Sequence, residues 1–402
     1  MSKILFLTTH SLASNPRIVK EIKLAVDNGF KVQVSCFIFR NWSFDLNEKL
    51  LLEFKQRGVD FNCIEAGKEG GASWLMSVLK EKFYRGISQL FFLKSSVLSI
   101  AVSRRSNELL KSVNKIKDAD WVIGHNPGAL WATSFAGKKL HCKTGFDVED
   151  YHPGEGNDKN LQRLTKNLMQ QVLPNMDYVS FASPLIMGEI KKDISYNGDN
   201  WFTILNYFPA SEFVLPETQL PGLLKLVWFS QNINSGRGLE LILPAIRSNL
   251  GKVELHLYGN INEDFKKQNL DGMNNVFFYE PITQTLLHQN LSTYDVGLAL
   301  DIPTDVNRNL VITNKLLAYL QAGLYVVASG TKSQKSFMKD FPDMGICFNY
   351  KKNDLNVILE NVLNRRDIIR SNRKKRYDNF KHHTWETESK KLVFALKQIK
   401  LD

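Results

Sequence analysis

The chain has 402 residues, 43% of them hydrophobic and 23% charged, which is ordinary for a globular protein and long enough for two or three domains. Its four cysteines (Cys36, Cys63, Cys142, Cys347) lie far apart with no C-x-x-C pair, which disfavours a zinc site or a disulfide framework and suits a reducing compartment. A formal charge of +11 favours anionic partners: phosphate-bearing ligands, acidic lipid headgroups or nucleic acid.

Taken in chain order, the first ten residues contain only a short apolar run, so they read as a strand, Lys3–Thr8, and not as a signal peptide. Asn15-Pro16-Arg17 opens a helix with Ile18, Ile22, Ala25 and Val26 on one face. Gly29 ends it, and Lys31–Phe37 is the next strand. Strand, helix, glycine and strand make a βαβ unit, which implies a parallel, doubly wound α/β sheet. No G-x-G-x-x-G follows the first strand, which disfavours a dinucleotide site of that type. From Trp74 to Lys111, seven Lys/Arg stand against two acids and are interleaved with Phe83, Tyr84, Phe91 and Phe92. That pattern suits a membrane surface as well as it suits a solvated helix face. Within it, Gly86–Ser103 is apolar but interrupted by Gln89, Lys94 and serines, a poor transmembrane candidate. Trp121–His125 and Lys143–Val148 are strands, Leu161–Leu173 is a helix, and Tyr178–Ala182 and Phe202–Leu205 are strands.

A loop-like stretch from Asn206 to Leu224, with Pro209, Pro216, Pro221 and Gly222, marks the domain boundary. The predicted domains are 1–205 and 206–384. A last amphipathic helix, 385–402, carries Leu392, Val393, Leu396 and Ile399 and could bury that face on either half, packing back on the first domain. A second α/β run follows the boundary: strand Leu226–Ser230, helix Leu239–Asn249, strands Val253–Tyr258 and Val276–Tyr279, helix Leu286–Thr293 and strand Val296–Leu300. Next, Asn314-Lys315 opens a helix, Gly323 stops it, and Tyr325–Ala328 is a buried strand. Arg365–Lys381 has eight basic residues against two acids and reads as a solvated helix face.

Three segments of the second half point to an anion. In the Ser230–Gly238 linker, with Ser230 and Gln231 at its start, Gly236 and Gly238 let backbone approach a ligand and Arg237 offers bidentate bonds to phosphate. Gly259-Asn260 ends another strand. Thr313-Asn314-Lys315 begins a helix whose free N–H groups and dipole suit a diphosphate. Each segment would also serve as an ordinary strand–helix link. In the first half, His125 at the carboxyl end of a parallel strand can hydrogen-bond a ligand hydroxyl or be a structural histidine. Asp147, Glu149 and Asp150, with His152, can position a hydroxyl, act as a base, hold a divalent ion, or cap a helix.

In order and spacing, these segments resemble the retaining glycosyltransferases of the GT-B fold, family-four type, over nearly the whole chain. Asn15-Pro16-Arg17 with Lys20-Glu21 and Gly29-Phe30-Lys31-Val32 is similar to the family's opening motif. His125-Asn126-Pro127, Phe146–His152, Ser183, Asn206, Ser235–Gly238 and Thr313–Gly323 resemble its later ones. The resemblance implies two Rossmann-like domains facing a central cleft and a sugar moved from a nucleotide-diphosphate sugar to an acceptor hydroxyl with retention. It further implies that Arg237, Lys315 and the helix start at Asn314 bind the diphosphate, that His125 contacts the donor sugar, and that Asp147–Asp150 face the acceptor. A lipid-linked or polysaccharide acceptor, a cytoplasmic enzyme peripheral at the inner membrane face, and no metal or other cofactor are expected with it. The departures are specific. Leu310 and Ala318 stand where the family carries two glutamates, Gln231 stands where a basic residue is common, and Thr8-Thr9-His10-Ser11 replaces a glycine-rich turn. Lys315 or Arg308 would compensate for the missing cation. A GT-B nucleotide-sugar epimerase and a non-catalytic nucleotide-sugar-binding protein are the alternatives. No RNP, KH or helix-turn-helix pattern supports a nucleic-acid partner.

Overall fold

The computed structural model describes residues 2–398 apart from 42, 68–70, 90, 197, 217–221, 350, 351 and 353, so Pro221 and Ile399 lie outside the described residues. The chain forms two compact units, Met1–Ile204 and Leu205–Asp402.

In the first unit the strands are β1 (Lys3–Thr8), β2 (Lys31–Ile38), β3 (Asp60–Glu65), β4 (Trp121–His125), β5 (Lys143–Val148), β6 (Tyr178–Phe181) and β7 (Trp201–Thr203). They form one parallel sheet in the order β3-β2-β1-β4-β5-β6-β7. The second unit has β8 (Leu224–Ile233), β9 (Val253–Ile261), β10 (Val276–Tyr279), β11 (Val296–Ala299), β12 (Tyr325–Ser329) and β13 (Gly345–Phe348). Its parallel order is β10-β9-β8-β11-β12-β13. Both are Rossmann-like, and each winding reverses once: between β1 and β4, and between β8 and β11. Loops leaving those strand ends diverge and open a crevice, which is where such sheets bind ligands.

The central strands are buried along nearly their whole length because helices cover both faces. Alternation divides β8 between two cores. Leu226 and Trp228 pack with Leu255, Leu257, Leu298 and Val327 on one side, while Val227 packs with Leu316, Leu317, Tyr319 and Val326 on the other. The first helix, Pro16–Asp27, starts as its sequence dictates: Pro16 occupies its first turn and the Asn15 side chain accepts the Ile18 N–H at 3.2 Å.

Four features differ from the sequence expectation. Edge strands β3 and β13 escape notice because β3 is only half-buried along most of its length and β13 is four residues long. The stretch from Trp74 to Lys111 is divided among three helices, Gly71–Ile87, Ser95–Val102 and Ser106–Val113. The segment from residue 385 belongs to the second unit, where Trp385 N–H donates to Phe208 O at 3.1 Å and Glu388 accepts the Leu205 N–H at 2.9 Å. Finally, β8 and β9 continue past the expected strand ends, Asn232 pairing with Asn260 and Ile233 with Ile261 after a register irregularity that takes in Ser230, Gln231 and Gly259.

Gly259 makes that continuation feasible. Its φ is +141°, and a Cβ there would lie 1.9 Å from the Ser230 carbonyl oxygen. Gly259→Ala should therefore cost about 2–4 kcal/mol of stability. Gly251→Ala, at φ +77° with open space around it, should cost only about 1–2 kcal/mol. Urea unfolding followed by tryptophan fluorescence compares the two, and equal losses would remove the steric role of Gly259.

Candidate functional site

At the β8/β11 crossover the turn Asn234–Gly238 uses two glycines with positive φ, Gly236 at +78° and Gly238 at +89°. Gly238 lies against the start of the β11 loop, where an added Cβ would meet the Asp301 amide nitrogen at 3.1 Å. Arg308 is held by the short helix Val306–Leu310, capped by Asp305. Its guanidinium donates to the Gly236 carbonyl at 3.3 Å and approaches Asp301 Oδ1 at 3.4 Å. Lys315 sits in the first turn of the helix Asn314–Gln321 with Nζ 5.4 Å from the centroid of the Trp228 ring. Burial pulls the Lys315 pKa down to about 8; Asp301 opposes the shift, while the charges of Arg237 and Arg308 add to it. Arg237 is exposed on the turn. Three cations thus surround one carboxylate at a sheet crossover.

The helix beginning at Asn314 offers donors at the same place. Thr313 Oγ1 caps the Leu316 amide at 3.3 Å and donates to Gln334 Oε1 at 3.0 Å. The amides of Asn314 and Lys315 have no acceptor among the described residues. Of the residues expected here, Gly236, Arg237, Thr313, Asn314 and Lys315 converge, with Thr313 as the cap. Ser230, Gln231 and Gly259 lie in the irregular step of the β8–β9 pairing, and Asn260 pairs with Asn232 just beyond it. Leu310 and Ala318 are buried core positions, 3% and 0% exposed.

In the first unit, β4 and β5 end side by side, pairing His125 with Asp147. His125 is fully buried, with Nε2 3.2 Å from Glu21 Oε2 and Nδ1 3.3 Å from Glu149 Oε1. Arg17 reaches Asp147 Oδ1 at 3.1 Å, Glu21 Oε1 at 3.3 Å and the Ile204 carbonyl at 3.0 Å. Burial alone would strip the His125 proton, but Glu21, Glu149 and Asp147 outweigh it and raise the pKa to about 10. Burial lifts Asp147 to about 6 despite Arg17. Burial works against the Glu149 carboxylate as well, yet the His125 bond and charge keep its pKa below the usual value. Buried charges persist only when paired, and these are paired with each other.

This corrects two expectations. With both ring nitrogens against carboxylates, His125 has none free for a donor sugar. Asp147, 0% exposed and held by Arg17 and Ser180, does not face solvent. Glu149 and Asp150 do line a cavity of about 510 Å³, together with Thr9, His10, Asn126 and His152. Asn126 stands there at φ +68°, uncommon for a non-glycine residue, with Oδ1 accepting the Thr8 hydroxyl at 2.6 Å. His125, Asp147 and Glu149 offer ligand atoms within 4.8 Å of one another, a spacing that suits a cation, but Arg17 already supplies positive charge to Asp147. In the sequence Arg17 and Glu21 stand out only as letters of the opening motif. Their signal was position: both fall on the same helical stripe as Ile18, Ile22 and Ala25, where charge must be paired.

The network makes stability pH-dependent with a defined sign. His125 is raised from 6.5 to about 10, so its contribution is complete below pH 6.5 and lost as pH rises through 10. Wild-type urea midpoints should fall between pH 7 and 10, and His125→Gln should fall less over that range. Parallel curves would show that His125 carries no raised pKa.

No protein-family model and no curated protein sequence matches the chain. Solved structures do. HepE of Anabaena, in complex with UDP-glucose, superposes with a TM-score of 0.68 at 13% identity, covering 99% of this chain and 100% of that one. A glycosyltransferase from Rickettsia africae gives 0.67 at 12% identity, with 99% of each chain covered. Sucrose-phosphate synthase from Thermosynechococcus elongatus gives 0.67 at 13%, again with 99% of each covered. With two parallel sheets of Rossmann order matched along their whole length, the chain has the fold of the GT-B glycosyltransferases.

Proposed function

We propose that the protein transfers a sugar from a nucleoside-diphosphate sugar to an acceptor hydroxyl. The observation that carries this reading is the meeting of Arg237, Arg308 and Lys315 with the unsatisfied amides of Asn314 and Lys315 at the β8/β11 crossover. Breaking an anomeric C–O bond leaves negative charge on the departing diphosphate. Fixed cations and a helix N-terminus stabilise that charge as it develops, and in this reading they do so without a metal or other cofactor. A fold that HepE uses with UDP-glucose supports a nucleotide-sugar ligand. Retention of configuration follows from the family resemblance.

The acceptor side of this reading is the first-unit cavity, where the Glu149 carboxylate, kept ionised by His125, and Asp150 would hold the incoming hydroxyl. A lipid-linked glycan fits the surface nearby. Leu75, Met76, Leu79 and Phe83, on the helix Gly71–Ile87, are each at least 52% exposed, and Phe91 and Phe92 reach 67% and 83%. Lys80, Lys82 and Lys94 lie among them, which suits an anionic bilayer at the inner face of a membrane. No described helix is long and apolar enough to cross one.

A second reading, binding without transfer, is favoured by one observation: the positions of the two family glutamates are filled by buried Leu310 and Ala318. Selective thermal stabilisation by one nucleotide sugar would fit both readings, since a ligand at 100 times its Kd adds about 2.7 kcal/mol. Turnover separates them. Arg237→Ala should lower turnover at least about tenfold and Arg308→Ala should weaken UDP binding about tenfold, consistent with losing one charge-assisted contact. Lys374→Ala, an exposed residue paired with Asp378, should change neither. UDP affinity should also drop above pH 8 as Lys315 loses its proton, and Lys315→Arg should abolish that drop. Calorimetry across pH 6.5–9.5 measures it, and a flat wild-type profile would remove Lys315 from the diphosphate site. For the surface, Leu79→Ser/Phe91→Ser/Phe92→Ser should no longer co-sediment with phosphatidylglycerol vesicles that retain wild type. Unchanged sedimentation would exclude this face as the contact.

A further inference from the structure

Cys36 and Cys63 occupy directly paired positions on β2 and β3, so their side chains leave the same face of the sheet. Their sulfur atoms lie 4.0 Å apart, and both residues are free thiols. The register that brings them together is pinned from the other face. There Ser112 Oγ donates to Ser35 Oγ at 3.1 Å and accepts from Asn62 Nδ2 at 2.6 Å. Neighbouring strands run about 4.8 Å apart, inside the roughly 4.4–6.8 Å between α-carbons that a disulfide spans. The backbone therefore already stands at bridging distance.

The two thiols differ in access and in acidity. Cys36 is 0% exposed, whereas Cys63 is half-buried on the edge strand of the sheet. The hydrogen bond from Cys36 and the charge of Lys55 hold the Cys63 thiol below its ordinary pKa against burial, while the same bond and burial push Cys36 up. Burial pushes Cys142 and Cys347 up to about 11 each. The thiolate is the reactive form, so of the four cysteines only Cys63 combines access with reactivity.

We propose that Cys36 and Cys63 form a peroxide-sensitive dithiol, in which Cys63 reacts first, Cys36 resolves it, and the disulfide fastens the edge strand β3 to β2. The Cys63 thiolate attacks one oxygen of hydrogen peroxide. The O–O bond breaks, Cys63 becomes a sulfenic acid, and the expelled hydroxide takes up the proton that Cys63 gave on ionising. The Cys36 sulfur then attacks the Cys63 sulfur, the S–O bond breaks, and the hydroxyl leaves with the Cys36 proton as water. In sum, the two thiols lose two electrons and two protons, and the peroxide is reduced to two waters. A thiol reductant reverses the bond by exchange. Backbone bonds hold an edge strand on one side only, so a covalent tie has most to add there. Nothing in this chemistry draws on the proposed sugar transfer.

The test takes the full chain, reduced and then freed of reductant, treats it with hydrogen peroxide, and blocks remaining thiols with N-ethylmaleimide. Non-reducing mass spectrometry should show the tryptic peptides of Cys36 and Cys63 joined, with Cys142 and Cys347 blocked as thiols. Dithiothreitol should restore both. Cys36→Ala should instead accumulate a dimedone-reactive sulfenic acid at Cys63, while in Cys63→Ala the oxidation of Cys36 should be at least about tenfold slower. Cys142→Ala/Cys347→Ala should cross-link as wild type does, and circular dichroism confirms that each variant is folded. Amide exchange along β3 should slow at least about tenfold in the oxidised protein. A cross-link that does not form, that forms as fast in urea, or that involves Cys142 or Cys347 overturns the proposal. Unchanged exchange in β3 overturns the fastening role.

Discussion

The first unit is organised by a buried ion network that no single element could hold. Arg17 and Glu21 come from the first helix, His125 from β4, Asp147 from β5, Glu149 from the residue after β5, and Ser180 from β6. Arg17 also binds the carbonyl of Ile204, the last residue of the unit. Two cations and two carboxylates out of water, with Glu149 at the edge, are tolerable only as a set, since deleting one buried partner typically strands another at a cost of about 3–5 kcal/mol. The cost of burial is therefore a constraint on geometry. The amino-terminal turns of the first helix must meet the carboxyl ends of β4 and β5, and that meeting sets where Glu149 enters the cavity wall.

Charge reaches the cavity through this network at one point. His125 is locked between Glu21 and Glu149, so its proton serves the network and not a ligand. What it does is hold Glu149 ionised where that side chain is 22% exposed. The second unit uses the opposite arrangement. Its cations stand at a crossover around Asp301, and their mutual repulsion is part of what depresses Lys315. An anion arriving there relieves repulsion already present, whereas an anion entering the first-unit cavity would add to it. Each crossover is thus selective by sign before any shape is considered.

Much of the fold was legible because parallel strands covered on both faces are nearly continuous apolar runs, and β1, β4 and β12 read that way. The edge strands β3 and β13 were not, since half-exposed short strands carry little periodic signal. The donor-side turn was legible in Gly236-Arg237-Gly238, whose glycines do take positive φ. Gly259 misled for a physical reason: a glycine at a strand end suggests a loop, yet here it lets two strands approach. His125 misled differently. Its position at a strand end was read correctly, but whether a side chain there faces a ligand or its neighbours depends on residues more than a hundred positions away, Arg17 and Glu21.

The replaced glutamates at 310 and 318 bear on chemistry through packing. Leu310 and Ala318 are both buried, and Ala318 packs among apolar side chains, so a carboxylate at 318 would need a partner that this core does not supply. Their loss is consistent with the local structure and not a lone defect. What remains at the crossover is the positive set, Arg237, Arg308 and Lys315, together with the free amides of the helix start. Under the proposed transfer those groups would act on a diphosphate, where negative charge develops, while Leu310 and Ala318 leave no carboxylate where the resembled family carries two.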